Sequence, residues 1–315
     1  MILARSEKHL IDNLPEVAGQ LEANAALSNL IWFRTGGKAE VLFRPAGEAD
    51  LVKFLKEIES FIPVTMLGVG SNLLVRDGGV DGIVIRLGKP FAEIENNGDV
   101  ITAGAGAVDV SVANFAAKAG LEGLEFLRGI PGTIGGAVSM NAGAYGADVS
   151  QRLIKARFLD RSGAVHELNN EEIGFSYRAT KLDPSWIVLD ATFQTEVGDA
   201  EEIQVRMDKI YKEREDTQPM RTRTGGSTFK NPNQGNEDAP SAWQLIEEAG
   251  CRGMHLRGAQ VSEKHCNFLI NNGLASAADI EELGEEVRAK VLAKSGVELE
   301  WELRRIGRHI VGHKE

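Results

Sequence analysis

The sequence predicts an α+β protein with two domains, and three observations support this prediction. The chain has 315 residues, which is long enough to form two hydrophobic cores. Its hydrophobic and charged fractions, 43% and 26%, are typical of an ordinary globular protein. Short β-like runs and helical periods follow one another irregularly, unlike the regular strand–helix repeat of a parallel α/β sheet.

The N-terminal part carries most of the strand signals. Residues 1–27 form a predicted helical extension, in which Leu10, Leu14 and Val17 lie on one side of an amphipathic helix. An Asn96-Asn97-Gly98 turn predicts a hairpin. The predicted strands are Glu40–Arg44, Val64–Leu67, Leu73–Val75, Ile83–Leu87, Phe91–Glu95, Val100–Ala103, Lys155–Asp160 and Trp186–Gln194, and the predicted helices are Glu48–Ile58 and Val110–Ala119.

The C-terminal part begins with a long predicted helix, Asp199–Glu215, so we place the domain boundary at residue 198. The predicted domains are therefore residues 28–198 and 199–315. Ser276 and Asp279 form a capping-box pair at the start of a further helix. The remaining predicted elements are a helix at Trp243–Ala249 and strands at Gly226–Phe229, Asn267–Ile270 and Leu299–Ile306.

The net charge restricts the kinds of partner that the protein is expected to bind. The chain has 46 acidic and 35 basic residues, a net charge of −11, which disfavours binding to nucleic acid or to an anionic membrane. No apolar run approaches the ~20 residues that span a bilayer, and the N-terminus lacks the features of a signal peptide. Two cysteines suit a reducing compartment, and by exclusion we expect a cytoplasmic protein. The sequence shows no sign of an obligate protein partner.

Two glycine-rich segments, Gly68–Asn72 and Gly129–Gly146, favour a nucleotide cofactor, because glycine lets backbone amides approach a diphosphate closely. Either segment alone would be a weak signal. Neither matches a P-loop or the dinucleotide fingerprint of a Rossmann fold. Gly104-Ala105-Gly106 lacks the third glycine of that fingerprint, and we discount it.

A set of motifs in a fixed order resembles a known family from about Leu27 to Gly307. The N-terminal motifs resemble the FAD-binding domain of the vanillyl-alcohol-oxidase or p-cresol-methylhydroxylase type, and the C-terminal motifs resemble the smaller α+β substrate domain of the UDP-N-acetylenolpyruvoylglucosamine reductases, the MurB family. The motifs are Arg34–Gly37, Gly68–Val75, Gly129–Gly146, Gly225–Pro232, Ala259–His265 and Leu299–Gly307. The short stretch after Arg178 resembles the shorter, type II subtype.

The resemblance implies NADPH-dependent reduction of UDP-N-acetylglucosamine enolpyruvate to UDP-N-acetylmuramate through FAD, in peptidoglycan precursor synthesis. Hydride addition to an enol ether beside a carboxylate requires a cation, a polar stabiliser and an acid. The resemblance assigns these roles to Arg178, which grips the carboxylate, to Ser227, the proton donor, and to the catalytic Glu302. A strand would place Glu300 and Glu302 on one face, so the choice of Glu302 depends on the resemblance alone.

The resemblance also implies binding residues. Those for FAD are Arg34, Gly68, Val69, Gly70, Ser71, Asn72, Leu73, Gly132, Thr133, Gly135, Gly136, Asn141 and Gly143. Those for substrate are Tyr145, Tyr177, Gln218, Lys230 and Asn231. The glycine segments contain no histidine or cysteine, so we expect the FAD to be non-covalent. No histidine or cysteine pair has metal-ligand spacing, so no metal is expected, and His265 is interpreted as structural or near the site.

Two other functions compete with the reductase. A flavoprotein oxidase of the same fold would need a different C-terminal domain, and Gly225–Pro232 and Leu299–Gly307 argue against it. A non-enzymatic nucleotide-binding module would have no need of Arg178, Ser227 and Glu302 together.

Overall fold

The structure is a computed structural model that describes residues 9–232 and 239–310. The helices and strands of these ranges follow the predicted order closely, although several boundaries shift by a few residues. The α-helices are α1 Glu48–Glu57, α2 Asp109–Lys118, α3 Ile134–Ser139, α4 Asn170–Ile173, α5 Ala200–Thr217, α6 Ala242–Glu248 and α7 Ala277–Ser295.

The strands of the same ranges include several that are only two residues long, which the sequence did not predict. They are β1 Gln20–Ala26, β2 Lys38–Arg44, β3 Val64–Met66, β4 Leu73–Val75, β5 Val80–Ile85, β6 Ile94–Asn97, β7 Val100–Gly104, β8 Leu121–Glu122, β9 Gly143–Ala144, β10 Ala147–Asp148, β11 Leu153–Leu159, β12 Val165–Asn169, β13 Ile187–Gln194, β14 Glu196–Val197, β15 Thr224–Ser227, β16 His255–Leu256, β17 Ala259–Val261, β18 Phe268–Asn271 and β19 Arg304–Ile306.

The described N-terminal part contains two large sheets, besides the two-stranded sheets β10-β9 and β14-β8. The first has the strand order β1-β2-β5-β3 and is parallel except for β1. Helix α1 buries Leu51, Phe54 and Leu55 against it, as the helical spacing predicted. The second sheet, β12-β11-β13-β7-β6, is antiparallel throughout, and the predicted hairpin at Asn96–Gly98 joins β6 to β7.

The C-terminal part has its own antiparallel sheet, β15-β18-β17-β16, covered by α6 and α7. The capping box at the start of α7 is confirmed: the Ser276 hydroxyl accepts from the Asp279 N–H, and the Asp279 carboxylate accepts from the Ser276 N–H. The apolar face of α7 is buried, as predicted, through Ile280, Leu283, Val287 and Val291. The separation of helices from mainly antiparallel sheets gives the predicted α+β class.

Several contacts tie the C-terminal part to the N-terminal part. Strand β19 pairs in parallel with β4, so the end of the chain returns to the segment that follows the first glycine loop. The Asp77 carboxylate accepts hydrogen bonds from the first two N–H groups of α7. Phe33 and Leu74, both from the N-terminal part, lie in the C-terminal core.

The predicted N-terminal amphipathic helix is wrong for the described residues; residues 1–8 lie outside them. Leu10–Asn13 forms one 3-10 turn, and Gln20–Ala26 forms the edge strand β1. Pro15 and Gly19 oppose a continuous helix in this stretch. Three apolar residues nevertheless pack against the core around α1, namely Leu10, Leu14 and Val17. Their spacing in the sequence therefore indicated that they are buried, although they do not lie on a helix.

The predicted last strand is also too long. Residues 299–303 have no ladder, only an isolated bridge between Trp301 and Phe229, and the strand is limited to Arg304–Ile306. The alternation that placed Glu300 and Glu302 on one face therefore does not apply. The side chain of Glu300 is 75% exposed, whereas that of Glu302 is 13% exposed.

The domain boundary at residue 198 stays a prediction. Helix α5 starts the predicted C-terminal domain, yet its buried residues Ile203 and Met207 pack in the core formed around α2 and the second sheet. This packing favours a boundary after α5.

Gly284 on α7 provides a test of the packing that supports Glu302. A Cβ at this position would lie 2.1 Å from the indole ring of Trp301. Gly284→Ala should therefore lower the free energy of unfolding by about 1–3 kcal/mol, although alanine favours a helix. Urea denaturation measures the loss. In a Trp301→Leu background the same substitution should cost less; an equal cost would exclude the clash as its cause.

Candidate active site

A cavity of about 470 Å³ lies where the N-terminal part meets Lys230, Glu302 and Arg304 of the C-terminal part. The predicted cofactor residues Gly68 to Leu73, Thr133, Gly135 and Gly136 line it, together with Arg178. A larger and more open hollow of about 740 Å³, near Asn24, Asp77 and Arg308, contains none of the predicted site residues. We therefore place the candidate site in the smaller cavity.

The two glycine-rich segments meet in the wall of this cavity. A Cβ on Gly68 would lie 3.0 Å from the Thr133 hydroxyl oxygen, which places the two segments in contact. Gly70 has a φ of +68°, and a Cβ there would lie 2.7 Å from the Ile31 Cα. Only glycine satisfies both conditions without strain. The loop therefore presents a bare backbone to the cavity, which suits the diphosphate of FAD.

Part of the cavity lining is apolar, and the sequence did not predict it. Its lining includes Phe158, Leu182, Pro184 and Trp186. The Trp186 ring stacks on His166 with the centroids 4.5 Å apart, and Phe158 packs beside it at 6.2 Å. Flat apolar side chains and exposed polar backbone in one cavity suit the ring systems and the diphosphate of a dinucleotide. The residues present therefore fit FAD.

Ala105 and Gly106 also line the cavity, although their glycine pattern was discounted. Rejecting a Rossmann fingerprint there agrees with the structure, in which β7 belongs to an antiparallel sheet. The Gly106 N–H donates to the Phe91 carbonyl, and a Cβ on Gly104 would lie 2.3 Å from the same oxygen. Glycine is needed at positions 104 and 106 because the backbone of this segment packs closely against Phe91. The same packing places Ala105 and Gly106 in the wall of the cavity.

Arg178 and Glu302 form the central ion pair of the site. Arg178 Nε donates to Glu302 Oε1 at 3.1 Å, and Arg178 Nη2 donates to the Gly143 carbonyl at 2.7 Å. Tyr177 lies against the guanidinium, whose carbon is 4.8 Å from the ring centroid. Burial raises the pKa of Glu302, and Arg178 opposes this effect only in part. The site thus joins a fixed cation to a carboxyl group that holds its proton to a higher pH than an exposed glutamate.

Ser227 lies at the end of β15 and does not belong to the cavity lining, unlike Arg178 and Glu302. Its neighbour Thr228 accepts a hydrogen bond from the Glu302 N–H at 2.8 Å, so the two segments are linked through the backbone. A Cβ on Gly226 would lie 3.8 Å from the Ser71 carbonyl, which places the end of β15 beside the first glycine loop.

Lys230 lies in the cavity wall and pairs with Glu300 at 3.2 Å. The exposed Glu300 thus balances the charge of the lysine, while Glu302 turns toward Arg178. This arrangement gives the two neighbouring glutamates different surroundings.

Several predicted binding residues lie outside the cavity lining. Asn141 and Gly143 hold Arg178 through their carbonyl groups, and Arg34 donates to the Asn29 carbonyl. Asn231 Oδ1 accepts from the Ala242 N–H. Their binding roles stay predictions, as do those of the other residues outside the lining, which are Gly132, Tyr145, Tyr177 and Gln218.

In residues 9–232 and 239–310 no group of three or more His, Cys, Asp or Glu side chains has a geometry that could hold a metal ion. His265 packs edge-on against Phe268, and burial lowers its pKa. None of the helices described combines the length and hydropathy needed to cross a bilayer.

Asp109 is a buried acid that the sequence did not identify. It begins α2 and is fully buried, and neither carboxylate oxygen has a hydrogen-bond partner among the described residues. A Cβ on Gly132 would lie 2.5 Å from Oδ2, so the carboxyl group fits only against a glycine. Burial raises the pKa of Asp109 well above its ordinary value.

Asp109→Asn should therefore change how stability depends on pH. Because the pKa of Asp109 is higher in the folded state, its contribution to stability is present below its unfolded pKa and is lost as pH rises through the folded value. Asparagine does not ionise, so the variant should gain stability relative to the parent as pH rises from about 4, the ordinary pKa of an aspartate, through the raised folded-state pKa. Denaturation at several pH values measures this difference. A difference that stays constant with pH would contradict the raised pKa.

Comparisons with known proteins agree with this geometry. A model of the UDP-N-acetylenolpyruvoylglucosamine reductase C-terminal domain matches residues 218–306, and a model of an FAD binding domain matches residues 39–169. The UDP-N-acetylenolpyruvoylglucosamine reductase of Paramagnetospirillum magneticum is 55% identical over 96% of this chain and 97% of its own length. The enzyme of that name from Rhodospirillum rubrum is 50% identical over 98% and 96%.

A solved structure shows the same similarity. The crystal structure of UDP-N-acetylenolpyruvylglucosamine reductase (MurB) from Thermus caldophilus matches with a TM-score of 0.79 and 35% identity, over 91% of this chain and 99% of that one. The matches confirm the predicted family, the α+β fold with an FAD-binding domain, and an FAD-dependent oxidoreductase with NADPH as reductant. The chain therefore belongs to the UDP-N-acetylenolpyruvoylglucosamine reductases, which are flavoenzymes of peptidoglycan precursor synthesis.

Proposed function

We propose that this chain reduces UDP-N-acetylglucosamine enolpyruvate to UDP-N-acetylmuramate, and that Arg178, Ser227 and Glu302 act at the reacting atoms. The contact between Arg178 and Glu302 carries the proposal. These residues are 124 positions apart in the sequence, yet they meet in the wall of a cavity that both glycine loops also line. A cation and a proton-holding acid beside a cofactor pocket are the groups that this reduction needs.

The residues that would hold FAD are the Gly68–Leu73 loop, Thr133, Gly135 and Gly136, with Trp186 on the apolar side. When bound, FAD supplies the hydride, which it obtains from NADPH. Helix α3 and the backbone contacts of Gly70 hold these segments in place.

Arg178 would bind the enolpyruvyl carboxylate. A guanidinium offers two parallel N–H groups to a carboxylate and remains charged at any physiological pH. Two backbone carbonyls and Tyr177 fix its orientation, so it needs little rearrangement to bind. The Glu302 carboxylate occupies its Nε, which leaves part of the guanidinium to the substrate.

Reduction adds a hydride to the terminal enolpyruvyl carbon and a proton to the adjacent carbon. We assign the proton to the Ser227 hydroxyl. Glu302 would stabilise the negative charge that develops beside the substrate carboxylate. It is buried, and its backbone N–H donates to the Thr228 carbonyl. Its raised pKa lets it act in the neutral form, as a hydrogen-bond donor, over a wider range of pH than an exposed glutamate.

An anaerobic visible spectrum of the purified protein tests the function. Addition of NADPH should bleach the flavin band, and addition of UDP-N-acetylglucosamine enolpyruvate should restore it. A flavin that bleaches but is not reoxidised by this compound would contradict the proposed substrate.

Ser227→Ala should separate the two half-reactions. It removes the proposed proton donor but leaves the cavity wall unchanged, so flavin reduction by NADPH should keep its rate. Reoxidation by the enolpyruvate should slow by roughly 10²-fold or more. Stopped-flow absorbance measures both rates. An equal loss in the two half-reactions would exclude this role for Ser227, and Ser150→Ala, away from the cavity lining, serves as a control.

Glu302→Gln should change the pH profile of the second half-reaction. If neutral Glu302 is the active form, the parent rate should fall as pH rises through the raised pKa of Glu302. Glutamine has no ionisation, so the variant should be slower but should lack this fall. Single-turnover reoxidation rates across the pH range measure the effect. Profiles of identical shape would show that Glu302 does not control the step.

We also propose that the enzyme belongs to the shorter type II subtype and works in the cytoplasm without an obligate protein partner. Both cysteines are buried and free, which suits a reducing compartment. The substrate is a small UDP-sugar, and the acidic net charge disfavours a nucleic-acid partner.

A further inference from the structure

Asn141 is a buried residue of the second glycine segment, and its side chain connects three parts of the chain. It is 3% exposed and has a φ of +46°, a backbone conformation that asparagine tolerates better than most residues. Its Oδ1 accepts from the Ser150 N–H at 3.0 Å. Its Nδ2 donates to the Ser176 carbonyl at 3.1 Å and to Asp148 Oδ2 at 3.4 Å. These partners fix the direction of the side-chain amide, because only its nitrogen can donate to two acceptors.

The Ser176 carbonyl belongs to a tight turn that carries Arg178. The Ser176 N–H donates to the Ala179 carbonyl at 2.9 Å, and the Ala179 N–H donates to the Ser176 carbonyl at 3.2 Å. Arg178 is the third residue of this turn and has a φ of +53°, which glycine usually provides. A side chain in this conformation is strained and needs surroundings that hold it there. The Asn141 amide supplies one of these contacts.

Asn141 also holds the other end of Arg178. The guanidinium Nη1 donates to the Asn141 carbonyl at 3.4 Å, and Nη2 donates to the Gly143 carbonyl at 2.7 Å. Asn141 therefore contacts the backbone of the turn through its side chain and the guanidinium through its own backbone. The hydrogen bonds of the side chain anchor the residue whose carbonyl receives Nη1.

The contacts of Asn141 are directed toward the protein and not toward the cavity. It lies outside the cavity lining, whereas Arg178 lies within it. Both polar atoms of its side chain are engaged by other residues of the chain. An amide used in this way orders the protein around it, and Arg178 is the residue of the site that it orders.

We propose that Asn141 is a positioning residue, which holds Arg178 in the orientation that binds the substrate carboxylate. The proposal rests on the proposed function of Arg178 and adds the residue on which its affinity for the carboxylate depends. A guanidinium binds a carboxylate through two parallel N–H groups, and this geometry is lost when the cation rotates. Asn141 acts through Arg178 and does not contact the substrate.

The test uses the FAD-loaded enzyme and two variants of Asn141. Asn141→Gly keeps the positive φ and removes the side-chain amide. Asn141→Asp keeps the acceptor for Ser150 and removes only the donor to Ser176. Asn170→Gly is the matched control, because Asn170 Nδ2 also donates to two backbone carbonyls, at 2.6 and 2.9 Å, that lie outside the turn of Arg178.

Both Asn141 variants should raise the Kd of UDP-N-acetylglucosamine enolpyruvate at least about tenfold, because small misplacements of a binding group are costly. The Kd of UDP, which has no carboxylate, and that of FAD should stay unchanged. The change in the flavin spectrum measures the first two values, and quenching of flavin fluorescence in the apoenzyme measures the third. Asn170→Gly should match the parent throughout. An equal rise for UDP or for FAD would overturn the proposal.

A double-mutant cycle tests whether Asn141 acts through Arg178. In an Arg178→Ala background, Asn141→Gly should have no further effect on the Kd of the enolpyruvate, since the cation that it positions is gone. Effects that add would show that Asn141 acts independently of Arg178 and would contradict the proposal.

Chemical modification tests the positioning without a substrate. Phenylglyoxal, which reacts with guanidinium groups, should modify Arg178 faster in both Asn141 variants than in the parent and in Asn170→Gly. Mass spectrometry of the peptides measures this rate, and Arg157, which pairs with Glu48 and Asp190, is the internal reference. An unchanged rate at Arg178 would overturn the proposal. If the enolpyruvate fails to bind the parent enzyme, the proposed substrate is wrong, and the modification rates still decide the role of Asn141.

Discussion

The site depends on the parallel pairing of β19 with β4. This ladder joins Arg304–Ile306 to Leu73–Val75, the strand that directly follows the first glycine loop. It places Glu302 beside that loop, where Asn72 Nδ2 donates to the Glu302 carbonyl at 3.3 Å. Glu281, which accepts from both Arg76 and Arg305, reinforces the junction with a half-buried ion-pair network. Residues 302–306 are therefore a structural part of the cofactor cavity.

The same junction explains why the site contains charges of opposite sign in a confined space. An ion pair removed from water gains stability only if its remaining groups are also satisfied. Arg178 meets this condition through the Asn141 and Gly143 carbonyls and the Tyr177 ring. Among the described residues Glu302 has no comparable set of donors, and burial raises its pKa. The polar groups of the site therefore contact mainly Arg178, and Glu302 is protonated more easily than an exposed glutamate.

Glycine has two distinct uses around the cavity. Gly70 is required by its positive φ and by its contact with Ile31, which bring the bare backbone loop into place. Gly129 is required because the Tyr145 ring occupies the space of a side chain. The first use exposes backbone to a ligand, and the second lets an aromatic ring close over the segment that leads to the cavity. A glycine count alone does not separate these uses.

The sequence by itself determined the order of the elements, the capping box of α7, the buried faces of α1 and α7, and the motifs that indicate the family. These features are local, because helical spacing and caps depend on residues a few positions apart. It could not give the end of the last strand or the different surroundings of Glu300 and Glu302, and it suggested a helix where β1 forms. Those features depend on which distant segment of the chain packs against the residues concerned. Only the tertiary structure brought together Arg178 and Glu302 and buried Asp109 against Gly132, because each of these contacts joins residues that are distant in the sequence.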